Sequence, residues 1–150
     1  MKKNRLLLII FILVTTMVTL GFFGLRKFSE FQTENYLKPA KARNDIIKIM
    51  TAVLIYEQEQ GQLPSQEAFK ELKDYQPQTS VVLQIPPDSD PWGEPYLYIV
   101  PGKEDLPYSI ISYGADKTPG GAGKDTDLSS DPVYRKYKEQ LNSSSNPEEE

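Results

Sequence analysis

The chain has 150 residues, of which 39% are hydrophobic and 25% are charged, and its formal net charge is −4. This length fits one small domain with its own core plus an appended segment, and it is too short for two ordinary domains. The absence of cysteine and histidine excludes disulfides, thiolate metal sites and every catalytic arrangement that needs one of these residues.

The charge is unevenly distributed along the chain. Residues 1–27 contain five of the 17 Lys and Arg residues and none of the 21 Asp and Glu residues. Residues 28–150 therefore hold 12 basic residues against all 21 acidic ones. An acidic soluble part argues against nucleic acid as a partner.

A membrane anchor is predicted at the N-terminus. Residues 1–5 form a basic head, and residues 6–25 follow it as twenty residues without a charge. As a helix this run spans about 30 Å, the thickness of the hydrocarbon core of a bilayer. A cleaved signal peptide has the same form, but no Ala-x-Ala cleavage site follows the apolar run. We predict a transmembrane helix with its head in the cytoplasm, although basic residues behind the span, beginning with Arg26, oppose this orientation.

A long amphipathic helix is predicted next. Residues 26–41 extend the anchor or link it to a domain at residues 42–130, and helix could continue until Pro39, which lacks the N–H donor. From Ala40 to Gln60 apolar residues recur at intervals of three and four, and Gly61 is expected to end the helix. We predict that this apolar stripe packs on the domain's own sheet rather than on a partner helix. Its members are Ile46, Ile49, Met50 and Val53, with Ile47 and Leu54 alongside.

The remainder of the domain is predicted to contain a short helix and a β-hairpin. Ser65 can cap the helix. Residues 96–100 and 108–113 are rich in aromatic and β-branched side chains, and the seven residues between them predict a hairpin connection. Residues 76–90 are predicted to be an extended connector with room for one short strand at 81–85. The inward side chains of the short helix are Ala68, Phe69 and Leu72.

These elements together predict an α+β fold. The N-terminal membrane helix and the amphipathic helix pack with a small antiparallel sheet of about three strands, and Trp92 and the tyrosines fill the core between helix and sheet. Residues 131–150 are predicted to be a short helix that begins at Asp131, followed by a disordered acidic tail from Asn142.

A loop rich in glycine and aspartate follows the second strand, at residues 114–127. Glycines allow positive φ angles, which can bring together the carboxylates of Asp116, Asp125 and Asp127. Such a loop could hold a hard cation such as calcium, but its spacing is not that of an EF-hand, and solvated Asp-Gly loops without metal are common. Both interpretations remain open at this point.

Paired carboxylates are the remaining candidates for catalysis. The pairs are Asp88 with Asp90 and Asp125 with Asp127. Asp88 and Asp90 flank a turn, and no convergent base or nucleophile accompanies either pair. We therefore predict that the protein is not an enzyme.

Several motifs occur in an order that resembles the GspG-type major pseudopilins of type II secretion, over about residues 42–128. The motifs are Gly61-Gln-Leu-Pro64, Asp90-Pro-Trp-Gly-Glu-Pro-Tyr96, Ser112-Tyr-Gly-Ala-Asp116, Pro119-Gly-Gly121 and Asp127-Leu128. The resemblance implies a pilin-like fold and a structural component or accessory of a type II secretion or related pilus-like system. It also implies a single-pass protein of a bacterial inner membrane, with its domain in the periplasm or outside, and other pseudopilin or secretion subunits as partners. The alternative is a free-standing anchored envelope domain that binds a partner or calcium without forming a fibre.

One part of the sequence departs from the family pattern. Pseudopilins carry a leader that ends in glycine, is cut before an aromatic residue, and is followed by a glutamate five positions into the apolar helix. Here Gly21-Phe22 lies at the end of the apolar run, and the first glutamate is Glu30. We therefore find no recognisable prepilin leader and expect that prepilin peptidase does not cut this chain.

The resemblance also implies a calcium site in the loop. Carried over by position, Asp116 and Asp127 would supply carboxylates, and Tyr113 and Thr118 would supply backbone carbonyl oxygens. The position before the last aspartate is often acidic in the family but is Thr126 here. Asp125 would therefore have to reach the cation from one residue earlier.

Overall fold

The structure is a computed structural model that describes residues 2–78, 85–103 and 106–144. It divides into two compact units, Met1–Leu37 and Lys38–Glu150.

The first unit consists of helix α1, Lys2–Gln32, and a π-helical turn, Thr33–Leu37. In the described part of the chain, one helix near the N-terminus is long and apolar enough to cross a membrane, criteria that a signal sequence would also meet. From Phe11 onward its large apolar side chains are exposed. The hydroxyls of Thr15, Thr16 and Thr19 donate to backbone carbonyls three or four residues earlier, so these polar groups are satisfied within the apolar segment.

The second unit begins with helix α2, Lys38–Gln60, and Pro39 does not interrupt it. The expectation that helix ends at Pro39 is therefore wrong. Proline is tolerated in the first turn of a helix, and the π-helical turn Thr33–Leu37 precedes it with a different hydrogen-bond register. The predicted end is confirmed: Gly61 has a φ of 72° and donates its N–H to the carbonyl of Glu57 at 2.8 Å.

One face of α2 is buried, and its members follow the predicted spacing of three and four. They are Pro39, Ala42, Asp45, Ile46, Ile49, Met50, Ala52 and Val53. The charged member, Asp45, lies 2.7 Å from the ammonium of Lys41 and 3.5 Å from that of Lys48. A buried carboxylate needs such partners, because an unpaired charge in the interior is costly.

A short helix follows α2 and completes one side of the core. Helix α3, Gln66–Lys70, is capped as predicted, since the Ser65 hydroxyl accepts the N–H of Ala68 at 3.2 Å. A 3₁₀ turn, Leu72–Asp74, comes next and buries Leu72. The ring of Phe69 stacks on Tyr98 with ring centres 4.3 Å apart.

Within the described residues, the sheet has three antiparallel strands in the order β1-β2-β3. Strand β1, Leu97–Ile99, and strand β2, Ser109–Ser112, form the predicted hairpin, with Tyr98 opposite Ile110. The third strand is β3, Leu128–Ser129, which pairs with β2. The short strand expected at 81–85 falls mainly on residues outside the described part, and Ile85 itself is not in a strand. Strand β3 was not predicted, because two residues are too few to show a periodic pattern.

Helix α2 packs on β2 and β3, and aromatic side chains fill the space between helix and sheet. The ring of Tyr108 lies 6.0 Å from that of Tyr98 and 5.7 Å from that of Tyr134. Tyr134 belongs to helix α4, Asp131–Ser144, while residues 145–150 lie outside the described part. Trp92 is partly buried and packs against this core rather than at its centre.

Replacement of Ile46 tests the packing of α2. Ile46 is 1% exposed, so Ile46→Ala removes buried methyl groups and leaves a cavity. We expect a loss of about 2–5 kcal/mol in the free energy of unfolding, measured by denaturant titration of the full chain in detergent with Trp92 fluorescence. The prediction that Ile47 lies beside the buried face is wrong, because this residue is 47% exposed. Ile47→Ala is therefore the matched control, for which we expect a change within about 0.5 kcal/mol. Equal losses for the two variants would contradict the assignment of the buried face.

The buried tyrosines predict instability at alkaline pH. Burial raises the pKa of Tyr98 to about 12 and also raises the pKa values of Tyr96 and Tyr108. In the unfolded chain the phenols ionise near a pKa of about 10. The stability that neutral burial contributes is therefore complete below pH 10 and is lost as pH rises from there through the folded-state pKa. We expect the melting temperature to be flat up to about pH 9.5 and to fall between about pH 10 and 12.

Tyr98→Phe should make this fall less steep, because it removes one of the ionising groups. Among the described residues the Tyr98 hydroxyl has no hydrogen-bond partner, so the substitution should be tolerated at neutral pH. Tyr36→Phe, at an exposed ring of the first unit, is the control that should leave the pH profile unchanged. A Tyr98→Phe profile identical to that of the parent would refute this explanation.

Candidate functional site

A tight turn at Asp90–Glu94 begins the site. The N–H groups of Trp92 and Glu94 both donate to Oδ1 of Asp90 at 2.9 Å, and the N–H of Asp90 donates to the carbonyl of Glu94 at 2.7 Å. Gly93 has a φ of 90°, which glycine adopts without strain. The motif Asp-Pro-Trp-Gly-Glu is therefore a turn folded around the side chain of its first residue.

The carboxylate of Asp90 is 5% exposed and links this turn to the sheet and the loop. Its Oδ2 accepts the hydroxyl of Ser112, at the end of β2, at 2.5 Å. Oγ of Ser112 in turn accepts the N–H of Gly114, the first residue of the loop, at 3.3 Å. A charge buried this deeply is stabilised because it accepts three hydrogen bonds.

The loop itself folds back so closely that backbone atoms from different parts of it are in contact. It contains two 3₁₀ turns, Gly114–Asp116 and Gly123–Asp125. Gly114 has a φ of 73°, and a Cβ atom there would lie 2.8 Å from the carbonyl oxygen of Lys124. At Gly121 a Cβ atom would lie 2.3 Å from the carbonyl oxygen of Asp125. Only glycine permits these two approaches, so the glycines close the loop.

The structure does not gather the predicted calcium ligands into one group. Oδ1 of Asp116 accepts the N–H of Thr118 at 3.2 Å, and both carboxylate oxygens of Asp127 lie 3.0 Å from the N–H of Gly120. Oδ1 of Asp125 lies 2.6 Å from the ammonium of Lys124. Tyr113 and Thr118, predicted to supply backbone carbonyls, lie just before and just after the segment Gly114–Lys117.

As arranged, these residues do not fit a calcium ion. Within the ranges that the structure describes, no three acidic side chains come together in a group that could hold a metal. Calcium takes six to eight oxygen ligands, usually with several carboxylates, so a dispersed set is a poor match. The calcium site therefore stays a prediction from the resemblance.

The candidate catalytic pairs are not assembled either. Asp88 is 70% exposed and lies 2.8 Å from the ammonium of Lys73, whereas Asp90 is buried and used in the turn. A groove of about 440 Å³ borders Asp88 and is lined mainly by apolar side chains, among them Phe69 and Tyr96. In the described part of the chain, no pair of carboxylates faces a common reaction space there.

Sequence reasoning missed two lysines and one serine of this site. Lys117 has a φ of 61°, the left-handed region, and its ammonium lies 2.6 Å from Oε1 of Glu94. Lys124 pairs with Asp125, and Ser112 connects Asp90 to the loop. A lysine inside a loop of glycines and aspartates was a signal for an internal ion pair. The contact of Ser112 depends on tertiary structure.

Substitution of Asp90 tests this link. Asp90→Ala leaves two backbone N–H groups and the Ser112 hydroxyl without their acceptor in a buried place. We expect a loss of about 3 kcal/mol or more in the free energy of unfolding, measured by denaturant titration in detergent. Asp88→Ala, which removes only an exposed carboxylate, should change this free energy by about 0.5 kcal/mol or less. If Asp90→Ala lowered the free energy of unfolding no more than Asp88→Ala does, the buried network would not contribute to stability.

The fold and the site define a class of protein: an α+β protein with a long apolar N-terminal helix, a small antiparallel sheet and a loop of glycine and aspartate. The model of the family described as "Type II secretion system (T2SS), protein G" matches residues 31–131, more than half of the chain. The chain therefore belongs to the type II secretion system protein G family.

Individual proteins are similar over different extents of the chain. A type II secretion system core protein G from Pseudomonas aeruginosa is 46% identical over 39 residues, which cover 26% of this chain. The match spans about a quarter of that relative, 27% of its length. The crystal structure of the major pseudopilin from the type 2 secretion system of enterohaemorrhagic Escherichia coli is similar with a TM-score of 0.45 and 19% identity. The matched region covers 69% of this chain and 90% of the pseudopilin chain in that structure.

Proposed function

We propose that this chain is a membrane-anchored structural subunit of a type II secretion system, held in a bacterial inner membrane by its N-terminal helix. The match of the family model over residues 31–131 carries the proposal, because it includes the turn at Asp90, the sheet and the loop. The proposed orientation places residues 1–5 in the cytoplasm and residues 28–150 in the periplasm or outside. The proposed partners are further pseudopilin or secretion-system subunits.

The exposed apolar side chains that follow the predicted span support association with other subunits. Phe28, Phe31, Tyr36 and Leu37 are each more than half exposed. They lie beyond Leu25, the predicted end of the apolar run, where lipid no longer covers them. Exposed aromatic and aliphatic side chains on one helix favour burial against the helix of another subunit.

We further infer that the role is structural rather than enzymatic. The four carboxylates that sequence alone offered for catalysis each have another partner: Asp88 pairs with Lys73, Asp90 bonds with Ser112, Asp125 pairs with Lys124, and Asp127 accepts the N–H of Gly120. These contacts support a structural role for the carboxylates.

Cysteine cross-linking tests both the assembly and the orientation, because the chain has no cysteine of its own. In cells that carry the rest of the secretion system, Phe31→Cys should form disulfide-linked dimers or a ladder of multimers. Gln62→Cys, in an exposed turn of the second unit, should remain monomeric and should react with a membrane-impermeant maleimide added to spheroplasts.

Two outcomes would contradict the proposal in different ways. If Phe31→Cys stays monomeric, the protein is a free-standing anchored envelope domain, the alternative function. If Gln62→Cys is protected in intact spheroplasts and reacts only after lysis, the second unit is cytoplasmic and the orientation is wrong.

A further inference from the structure

The loop at residues 114–127 contains two lysines, Lys117 and Lys124, whose ammonium groups each pair with a carboxylate. We infer that the closed form of this loop is held by donors of the chain itself, with the Lys124 ammonium neutralising Asp125, so that closure does not require calcium. The inference concerns the loop and stands independently of the proposed assembly.

The first observation is the bond between Asp127 and Gly120. Both carboxylate oxygens of Asp127 lie 3.0 Å from the backbone N–H of Gly120, seven residues earlier in the chain. This contact connects two separate parts of the loop. A backbone N–H is a donor at every pH and cation concentration. The carboxylate expected to be a principal calcium ligand thus already serves to hold the loop shut.

The second observation is the pair of Asp125 and Lys124. Their side chains approach to 2.6 Å and are 30% and 43% exposed, so the ammonium neutralises Asp125 at the edge of the loop. The backbone of the same two residues packs against Gly121 and Gly114, which leaves no space for a side chain at either glycine. The glycine contacts fix this segment in position, and the lysine supplies the positive charge.

The third observation is the pair of Lys117 and Glu94. Lys117 has a φ of 61°, a conformation that costs energy for a residue with a side chain. From this conformation its ammonium reaches Glu94 at 2.6 Å, so it ties the loop to the turn that Asp90 organises. The hydrogen bond with Glu94 also raises the pKa of Lys117.

These contacts remove the electrostatic reason for a metal. Three carboxylates gathered in one place would repel one another and would keep the loop open until a cation bound. Instead, each loop aspartate has a separate donor: Thr118 N–H for Asp116, Lys124 for Asp125 and Gly120 N–H for Asp127. Exposed ion pairs are individually weak, so closure depends mainly on the amide bonds and glycine contacts, while the lysines offset the charge.

The test compares the full chain in detergent in millimolar calcium and in chelator. We expect the parent to melt at the same temperature in both, within about 1 °C. Terbium, a calcium substitute whose luminescence is excited through nearby tyrosines such as Tyr113, should give no sensitised signal with the parent.

Lys124→Asp is the informative variant, because it exchanges the ammonium for a carboxylate beside Asp125 and Asp127. We expect its melting temperature to fall in chelator and to recover by several degrees in millimolar calcium, as mass action requires for a ligand that binds only the folded state. It should also gain the terbium signal. Lys124→Gln, which removes the ammonium without adding a negative charge, is the matched control and should respond to neither ion.

Each result decides the inference. A parent whose melting temperature rises by about 4 °C or more in calcium, or that shows a terbium signal abolished by Asp127→Asn, would overturn it in favour of the predicted calcium site. A Lys124→Asp variant that folds but ignores both ions would overturn the role assigned to Lys124. If that variant does not fold, the comparison of the parent in calcium and chelator still decides whether the loop needs a divalent cation.

Discussion

The packing of α2 on an aromatic sheet is the constraint on which the domain depends. The strands of this sheet have two to four residues, and such short strands are not stable alone in water. The buried face of α2, with Ile46 and Val53 at its centre, provides the apolar surface that covers them. Tyr98 and Tyr108 contribute large buried rings from the sheet side, so a small number of residues accounts for most of the core.

The buried carboxylate of Asp90 connects the core to the loop through hydrogen bonds. It folds the turn around itself and bonds with Ser112, and Ser112 bonds with the first residue of the loop. The loop is thereby attached to β2, a strand that the core holds in place. Because a buried carboxylate without hydrogen-bond donors is costly, these contacts are mutually dependent, and the turn, strand and loop form one polar network. The lysines at positions 117 and 124 belong to its outer edge.

The two units differ in the kind of side chain that they expose. The first carries apolar side chains on its surface and satisfies its threonine hydroxyls internally, as a helix in lipid must. The second buries its apolar residues and exposes acidic ones, as a domain in water must.

The sequence alone determined the elements whose signals are local and periodic. The apolar span at residues 6–25, the stripe of α2, its end at Gly61, the cap at Ser65 and the hairpin all follow from residue types at fixed spacings. The ordered motifs from Gly61 to Leu128 also indicated the family. Tertiary structure alone decided β3, because two residues carry no periodic pattern, and it decided the bond between Ser112 and Asp90, which are distant in sequence. It also decided the partners of the loop carboxylates. Spacing shows that Asp116, Asp125 and Asp127 could meet, whereas the folded loop places a different donor beside each of them.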